Sequence, residues 1–273
     1  MIQRLISGSI AGALLVAVVL KGGLAGVLAV VVVLAVMSYR EYDRLVFEVS
    51  DRYRLLRICS LIVFTILALR QGGAVGLVVV WFSFISIAAK ALFDGDRSGG
   101  FKAALARMNW EWLGYFYTLS LLGFVIPIYR LGDSGHHWLL LLFVIVFSGD
   151  SFAYFVGRAM GQSVLASKLS PKKTVEGAVG GLLGSLLFAY LWIVVLHPYS
   201  PDWRFWVVVV MVNVLGQLGD LFESLLKRSQ REKDSGTFLP GHGGILDRID
   251  GLAFASPFYY AALLFFLRVG ENG

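Results

Sequence analysis

The chain has 273 residues, of which 58% are hydrophobic and 15% are charged. Soluble domains have about half apolar and about a quarter charged residues, so the composition excludes an ordinary soluble domain and indicates that lipid is the solvent for most of the chain. The single cysteine, Cys59, excludes an intramolecular disulfide. The net charge of +6 matters less than where the charges lie, and we expect no nucleic-acid partner. We predict an all-α, polytopic integral membrane protein, with one membrane domain over residues 1–273.

Nine apolar runs predict about nine transmembrane helices. A break at Lys21 separates the first two runs, because one helix over residues 5–38 would be about 51 Å long, too long for a core of about 30 Å. We group residues 1–130 as N-terminal spans and residues 138–268 as C-terminal spans, which carry the motifs described below. The nine runs are residues 5–20, 24–38, 58–69, 74–92, 110–129, 138–156, 178–196, 205–218 and 252–267.

Three features between the spans carry expectations about the membrane surface. Residues 39–57 contain charges throughout and predict an interfacial helix or loop. Residues 93–109 predict a polar loop, since glycine and charge recur there. An aromatic belt at one interface is expected at the start of the fifth span, from Trp110, Trp112, Tyr115 and Tyr117.

The Lys and Arg residues predict the orientation. If the N-terminus is cytoplasmic and nine helices cross, cytoplasmic segments hold all but five of the 24 Lys and Arg residues. This skew is what the positive-inside rule expects, and a miscounted span would largely remove it. The five on the other side are Lys21, Arg70, Arg130, Arg204 and Arg268.

Residues 219–251, between the eighth and ninth spans, combine both charge signs with glycines. A plain loop between two membrane helices does not need this density of charge, whereas a site that binds phosphates through metal ions does. The acids are Asp220, Glu223, Asp234, Asp247 and Asp250. The bases are Lys227, Arg228, Arg231, Lys233 and Arg248.

The spacing of the acids favours a cluster of oxygen ligands. If the eighth helix continues, Asp220, Glu223, Ser224 and Lys227 lie on one face of it. Asp247 and Asp250 lie three residues apart at the start of the ninth helix. Together the carboxylates suit Mg²⁺ holding phosphates, although a solvated helix end or N-caps would also explain individual acids.

Two further segments predict anion binding. Residues 241–244, Gly-His-Gly-Gly, can turn backbone N–H groups toward an anion, which by itself is a weak signal. Residues 170–177, Ser-Pro-Lys-Lys-Thr-Val-Glu-Gly, combine two cations and a hydroxyl with a helix start, and a basic membrane anchor is the alternative. Asp150 lies inside an apolar span and is either a ligand or a polar packing partner. By the predicted topology, these segments share one side of the membrane.

The run from Ser224 to Asp250 resembles the signature of phosphatidate cytidylyltransferases, also called CDP-diacylglycerol synthases. Residues 149–154 and 170–177 are also similar to that family, with Ser151 where threonine is common. The matching positions in the signature are Ser224, Lys227, Arg228, Lys233, Asp234, Gly236, Leu239, Pro240, His242, Gly243, Gly244, Asp247, Arg248, Ile249 and Asp250.

The resemblance implies an enzyme that joins CTP and phosphatidate, drawn from the membrane lipid, into CDP-diacylglycerol and pyrophosphate with Mg²⁺. It also implies a multi-pass protein of the inner (plasma) membrane with its site facing the cytoplasm. The competing predictions are a CTP-dependent lipid kinase and, in a different class, a membrane transporter. The identity of a second cation and the oligomeric state, with a homodimer as one alternative, are left open.

We predict roles for the candidate residues on this basis. The main metal ligands are Asp220 and Asp247, with further ligands or outer contacts from Asp150, Asp250 and Glu223. His242 binds a phosphate, acts as an acid, or only shapes the turn. Phosphates and nucleotide are bound by Lys172, Lys173, Thr174, Ser224, Lys227, Arg228, Lys233, Gly243, Gly244 and Arg248.

Overall fold

The computed structural model describes residues 2–47, 51–71, 73–97, 100–196, 201–230, 232 and 244–269. Within these ranges the helices are α1 (Ile2–Lys21), α2 (Gly23–Val46), α3 (Arg52–Gln71), α4 (Gly73–Arg97), α5 (Phe101–Gly123), α6 (Val125–Tyr129), α7 (Gly135–Met160), α8 (Val175–Leu196), α9 (Trp203–Ser229) and α10 (Leu246–Ala261). A π-helical turn, Ala262–Phe266, extends α10. Strands β1 (Val164–Ala166) and β2 (Ser170–Thr174) form an antiparallel hairpin. The predicted all-α membrane fold is confirmed, with this hairpin as an addition.

Six helices in the described ranges are long and apolar enough to cross a membrane, so the chain is a multi-pass membrane protein. Outside these six, the predicted span over residues 5–20 lies in α1, that over residues 58–69 lies in α3, and that over residues 110–129 is divided between α5 and α6. The count of nine stays a prediction. Residues Gly12–Lys21 of α1 form a shorter apolar helix. The six segments are Gly23–Val46, Ala74–Phe93, Gly135–Met160, Val175–Leu196, Trp203–Ser229 and Leu246–Phe266.

The segment at residues 39–57, expected as an interfacial helix or loop, folds in the described residues as the end of one helix and the start of the next, and its position at the membrane surface stays a prediction. Helix α2 continues to Val46 and α3 begins at Arg52. Two of the charges in this segment pair inside the fold. Arg54 Nε lies 2.8 Å from Asp43 Oδ1, with both side chains buried, and the guanidinium also lies 3.7 Å from the centre of the Phe47 ring.

The expected polar loop at residues 93–109 differs from the structure, because helix α5 already begins at Phe101. Tyr115 and Tyr117 are buried inside the protein, and the aromatic belt at the interface stays a prediction. Gly114 explains part of this packing, because a Cβ atom there would lie 2.6 Å from Tyr42 Cδ1. The Tyr42 hydroxyl donates a hydrogen bond to the Trp110 carbonyl at 2.8 Å, which joins α2 to α5.

Helix α7 lies at the centre of the C-terminal half, in contact with α8, α9 and α10. Its first turns are buried on nearly all sides, as expected of a helix that is apolar all round. Glycines on α8 let the two backbones approach closely: a Cβ atom on Gly181 would lie 2.8 Å from the Gly149 carbonyl oxygen, and one on Gly180 would lie 2.5 Å from Val156.

Helices α9 and α10 make a second close contact through glycines. A Cβ atom on Gly219 would collide with the carbonyl oxygen of Asp250, and one on Gly251 would lie 3.3 Å from the Gly216 carbonyl oxygen. One turn earlier on α9, a Cβ atom on Gly216 would meet nothing closer than 3.9 Å. The contact at Gly219 therefore sets how closely the acidic ends of α9 and α10 approach.

We expect Gly219→Ala to lower the free energy of unfolding by about 1–3 kcal/mol, because the new methyl group meets backbone that cannot move aside easily. Gly216→Ala is the matched control on the same helix. Its methyl group has room, and alanine is favoured over glycine in a helix by up to about 1 kcal/mol. Thermal unfolding in detergent measures both, and equal midpoints would contradict the described contact.

Candidate active site

Four carboxylates lie at the facing ends of α9 and α10. Asp220 and Glu223 are three residues apart on α9, and Asp247 and Asp250 are three apart on α10, so each pair occupies one helix face. The glycine contact brings these faces together. One carboxylate oxygen each from Asp220, Glu223 and Asp250 lies within 4.8 Å of the others. We call these three residues the acid cluster.

Asp247 has different contacts from the acid cluster. Its Oδ1 lies 2.5 Å from Lys227 Nζ, and its Oδ2 accepts a hydrogen bond from the Gly244 N–H at 2.8 Å. Lys227 also lies 2.8 Å from Glu223 Oε2, one turn back on α9. The ammonium thus bridges the two helices. That Asp220 and Asp247 are the main metal ligands stays a prediction. The three carboxylates close enough to share an ion belong to Asp220, Glu223 and Asp250, and Asp247 is not among them.

Glu223 presents an unusual oxygen to the acid cluster. The residue is 1% exposed, and its Oε1 atom is buried and accepts no hydrogen bond from the described residues. A buried acceptor without a partner costs about 1–3 kcal/mol, and more when it is charged. Bound cations commonly satisfy such an atom, so the Glu223 carboxylate and its two neighbours fit a hard divalent ion such as Mg²⁺.

The second predicted segment folds as the β1–β2 hairpin and reaches the acid cluster. Lys173, on β2, places its Nζ 2.5 Å from Asp220 Oδ2. At the start of α8, Thr174 Oγ1 accepts a hydrogen bond from the Gly177 N–H at 3.1 Å. Glu176 holds the other end of the hairpin, because its carboxylate accepts from the N–H groups of Gln162 (3.1 Å) and Ser163 (3.2 Å). The structure therefore brings the two predicted loops together.

A cavity of about 510 Å³ lies between α7, the hairpin, α8 and α9. Its size is in the usual range of small-molecule sites. Asp150 is exposed to this cavity from α7, and Asp220 reaches it from α9, so the cavity is continuous with the acid cluster. The lining residues are Asp150, Ala153, Tyr154, Gly157, Arg158, Leu165, Lys172, Lys173, Thr174, Gly177, Ala178, Gln217 and Asp220.

A polar network inside the membrane helices was missed by the sequence prediction. Ser185 Oγ donates to the Ile145 carbonyl at 2.7 Å, and Asn213 Nδ2 donates to Ser185 Oγ at 2.8 Å. Gln217 Nε2 donates in turn to Asn213 Oδ1 at 2.7 Å. The signal was present, since polar residues in apolar spans usually have a specific role.

Glu41 is a second residue that sequence reasoning missed. Its Oε2 accepts a hydrogen bond from the N–H of Leu246, the first residue of α10, at 2.9 Å. Glu41 is buried on α2, so an acid from the N-terminal half caps the helix that carries Asp247 and Asp250. No local sequence pattern connects positions 41 and 246.

The remaining predicted residues divide into two groups. Lys233, His242 and Gly243 lie outside the described residues. The others lie around the acid cluster: Ser224 is half-buried on α9, Arg248 is exposed on α10, and Arg228 contacts the hairpin through the Leu169 carbonyl at 3.4 Å.

We expect Lys227→Met to lower the free energy of unfolding by about 3 kcal/mol or more, because it leaves the Glu223 and Asp247 carboxylates without their shared cation. Lys168→Met is the matched control, since Lys168 is exposed in the hairpin turn. Denaturation in mixed micelles measures both variants. An unfolding midpoint for Lys227→Met equal to that of the control would show that the bridge contributes nothing.

Comparison with known proteins identifies the family. The family model described as "Cytidylyltransferase family" matches residues 2–266. A Bacillus subtilis protein named phosphatidate cytidylyltransferase is 33% identical over 214 residues, covering 71% of this chain and 79% of that protein. Proteins of the same name from Thermotoga maritima and Brucella abortus are 37% and 38% identical, over 61% and 56% of this chain and 62% and 56% of their own lengths. The chain belongs to the cytidylyltransferase family and is a membrane-embedded nucleotidyltransferase.

Proposed function

We propose that the chain is a phosphatidate cytidylyltransferase, which converts CTP and phosphatidate into CDP-diacylglycerol and pyrophosphate. The names of the relatives support the reaction. The structural observation that carries the proposal is the ion pair of 2.5 Å between Lys173 and Asp220. Both residues line the cavity of about 510 Å³, so a cation suited to phosphate lies beside a carboxylate suited to a metal ion.

The reaction exchanges one phosphorus–oxygen bond for another. An oxygen of the phosphatidate phosphate bonds to the α-phosphorus of CTP, and the bond from that phosphorus to the oxygen bridging to the β-phosphate breaks. The electron pair leaves with pyrophosphate. Because the attacking phosphate is already ionised at neutral pH, no strong base is needed, and positioning and charge stabilisation supply the catalysis.

The cations around the acid cluster provide that stabilisation. Lys172 and Lys173 bind phosphates from the hairpin, and Arg248 binds them from the start of α10. Charged hydrogen bonds to phosphate oxygens are about twice as strong as neutral ones. Cations that are already in place stabilise the charge that develops on the pyrophosphate leaving group without reorganising.

We propose that Asp220, Glu223 and Asp250 bind Mg²⁺ as the cofactor of this reaction. These three offer oxygens within 4.8 Å of one another, and Glu223 Oε1 lacks a hydrogen-bond partner among the described residues. When bound, the ion supplies a Lewis acid that offsets phosphate charge. Asp247, bonded to Lys227, is the alternative ligand, and Asp150 lines the same cavity as Asp220.

We also propose that the site faces the cytoplasm from the inner membrane. The excess of Lys and Arg in the predicted cytoplasmic segments supports this orientation. Phosphatidate in the inner leaflet then presents its phosphate to the cavity while its acyl chains stay in the bilayer, and CTP enters from the water phase. This arrangement requires neither substrate to cross the membrane.

The purified enzyme in mixed micelles with phosphatidate and Mg²⁺ tests the reaction. Label on the α-phosphorus of CTP is expected in the lipid, and label on the γ-phosphorus is expected in pyrophosphate. Asp220→Ala, prepared in the same way, is expected to transfer no label. A lipid that acquires the γ-label, with release of CDP, would identify a lipid kinase, and CTP-independent solute flux in liposomes would identify a transporter.

Binding of Mn²⁺, a spectroscopic substitute for Mg²⁺, tests the metal ligands without measuring activity. Electron paramagnetic resonance of free Mn²⁺ is expected to show affinity lowered at least about tenfold in Asp250→Asn and Glu223→Gln, because each loses a ligand oxygen. Asp133→Asn, at an exposed acid before α7, is the control.

Asp247→Asn distinguishes the two candidate ligand sets. We expect it to change Mn²⁺ affinity less than Asp250→Asn does. The reverse order, with Asp250→Asn binding normally, would return the assignment to the pair of Asp220 and Asp247.

A further inference from the structure

The polar network leading to the cavity leaves the Gln217 side chain with one orientation. Gln217 Nε2 donates both of its hydrogens, to Asn213 Oδ1 at 2.7 Å and to the Ala178 carbonyl at 3.1 Å. A backbone carbonyl can only accept, so the atom beside Ala178 must be the nitrogen. If Oε1 and Nε2 exchanged places, Oε1 would face the Ala178 carbonyl, and two acceptors would meet without a hydrogen.

Asn213 is held in the same way. Its Nδ2 donates to Ser185 Oγ at 2.8 Å and to the Gly181 carbonyl at 3.4 Å, and Ser185 itself donates to the Ile145 carbonyl. Asn213 and Ser185 are 3% and 0% exposed, so water does not compete for these bonds. These hydrogen bonds, which end on backbone carbonyls, therefore determine which polar atom of the Gln217 side chain has no hydrogen-bond partner among the described residues.

That atom is Gln217 Oε1. Gln217 lines the cavity, one turn before Asp220 on α9, and Oε1 accepts no hydrogen bond from the described part of the chain. The cavity wall next to Asp220 therefore carries a hydrogen-bond acceptor whose orientation is fixed. Asp150, a second acceptor, lines the same cavity. A ligand group that forms hydrogen bonds to these two acceptors must supply N–H or O–H donors.

We propose that Gln217 Oε1 accepts a hydrogen bond from the exocyclic amine of cytosine and thereby selects CTP over UTP. This inference rests on the proposed function. Cytosine carries an amino group at C4, where uracil carries a carbonyl oxygen that would face Oε1 acceptor to acceptor. Phosphate oxygens bound by Lys172 and Lys173 are acceptors and do not suit this wall. The exposed ring of Tyr154 lines the same cavity and offers a face for base stacking.

A site built to bind a polar group strongly rejects an analogue that lacks it, because its own polar atoms are left unpaired. For the wild-type enzyme we expect kcat/KM to be at least about 100-fold lower for UTP than for CTP. A CTP analogue without the 4-amino group, the pyrimidin-2-one triphosphate, is expected to lose at least about tenfold relative to CTP. Gln217→Ala is expected to react with CTP and this analogue about equally.

Asn213→Ala is the matched control for a purely structural role. It breaks the same network but leaves Gln217 Oε1 in place through the bond to Ala178, so stability falls while the preference for CTP over the analogue remains. Comparing CTP with dCTP separates the base from the ribose, and Gln217→Ala is expected to leave that ratio unchanged.

Several outcomes overturn the inference without touching the proposed reaction. The first is a wild-type kcat/KM for the analogue equal to that for CTP. The second is a Gln217→Ala variant that still prefers CTP to the analogue. The third is a Gln217→Ala variant in which only the preference between CTP and dCTP changes. If Gln217→Ala does not fold, Gln217→Met, which keeps the side-chain volume but lacks the acceptor oxygen, takes its place in the same comparison. Failure of the wild-type enzyme to form CDP-diacylglycerol from CTP would instead refute the proposed function.

Discussion

The carbonyl oxygen of Asp250 lies where a side chain at position 219 would have to be. This absence of a side chain lets α9 and α10 meet backbone to backbone, and the acid cluster exists because of it. A larger interhelical distance would separate Asp220 and Glu223 from Asp250 and would release the bridge that Lys227 makes to Asp247. Close helix contact, which in many membrane proteins serves only packing, here determines the spacing of charged groups.

Ion pairing offsets part of the cost of bringing these acidic and basic side chains together away from bulk water. Lys227 on α9 forms ion pairs with two carboxylates, and Lys173 on the β1–β2 hairpin forms one with Asp220. Each pairing reduces the cost of keeping charge away from bulk water, although a buried pair rarely adds net stability over apolar packing. The arrangement therefore fits the proposed phosphate chemistry: cations and carboxylates are both present before any substrate brings its own charge.

Much of this site followed from the sequence because charged residues in apolar surroundings are conspicuous. Asp220, Asp250 and Lys173 were found from their positions at span ends, and the structure brings them together. The pairing of Asp247 with Lys227 could not be predicted, since helix spacing gives a face but not a partner across helices. The buried pair of Asp43 and Arg54 could not be predicted for a related reason, because a charged segment beside an apolar run gives no sign that its side chains are buried. The β1–β2 hairpin was missed because a strand of three residues has too little periodicity to detect.

The bond between Glu41 and the Leu246 N–H joins residues 205 positions apart. Translation makes α2 before α10, so the acid cluster cannot be completed until α10 has been synthesised and has docked against α2. Before that moment the chain displays Asp220 and Glu223 without their counterparts on α10. The acid cluster therefore forms only through tertiary docking of two distant helices, and a chain in which α10 has not docked does not have it.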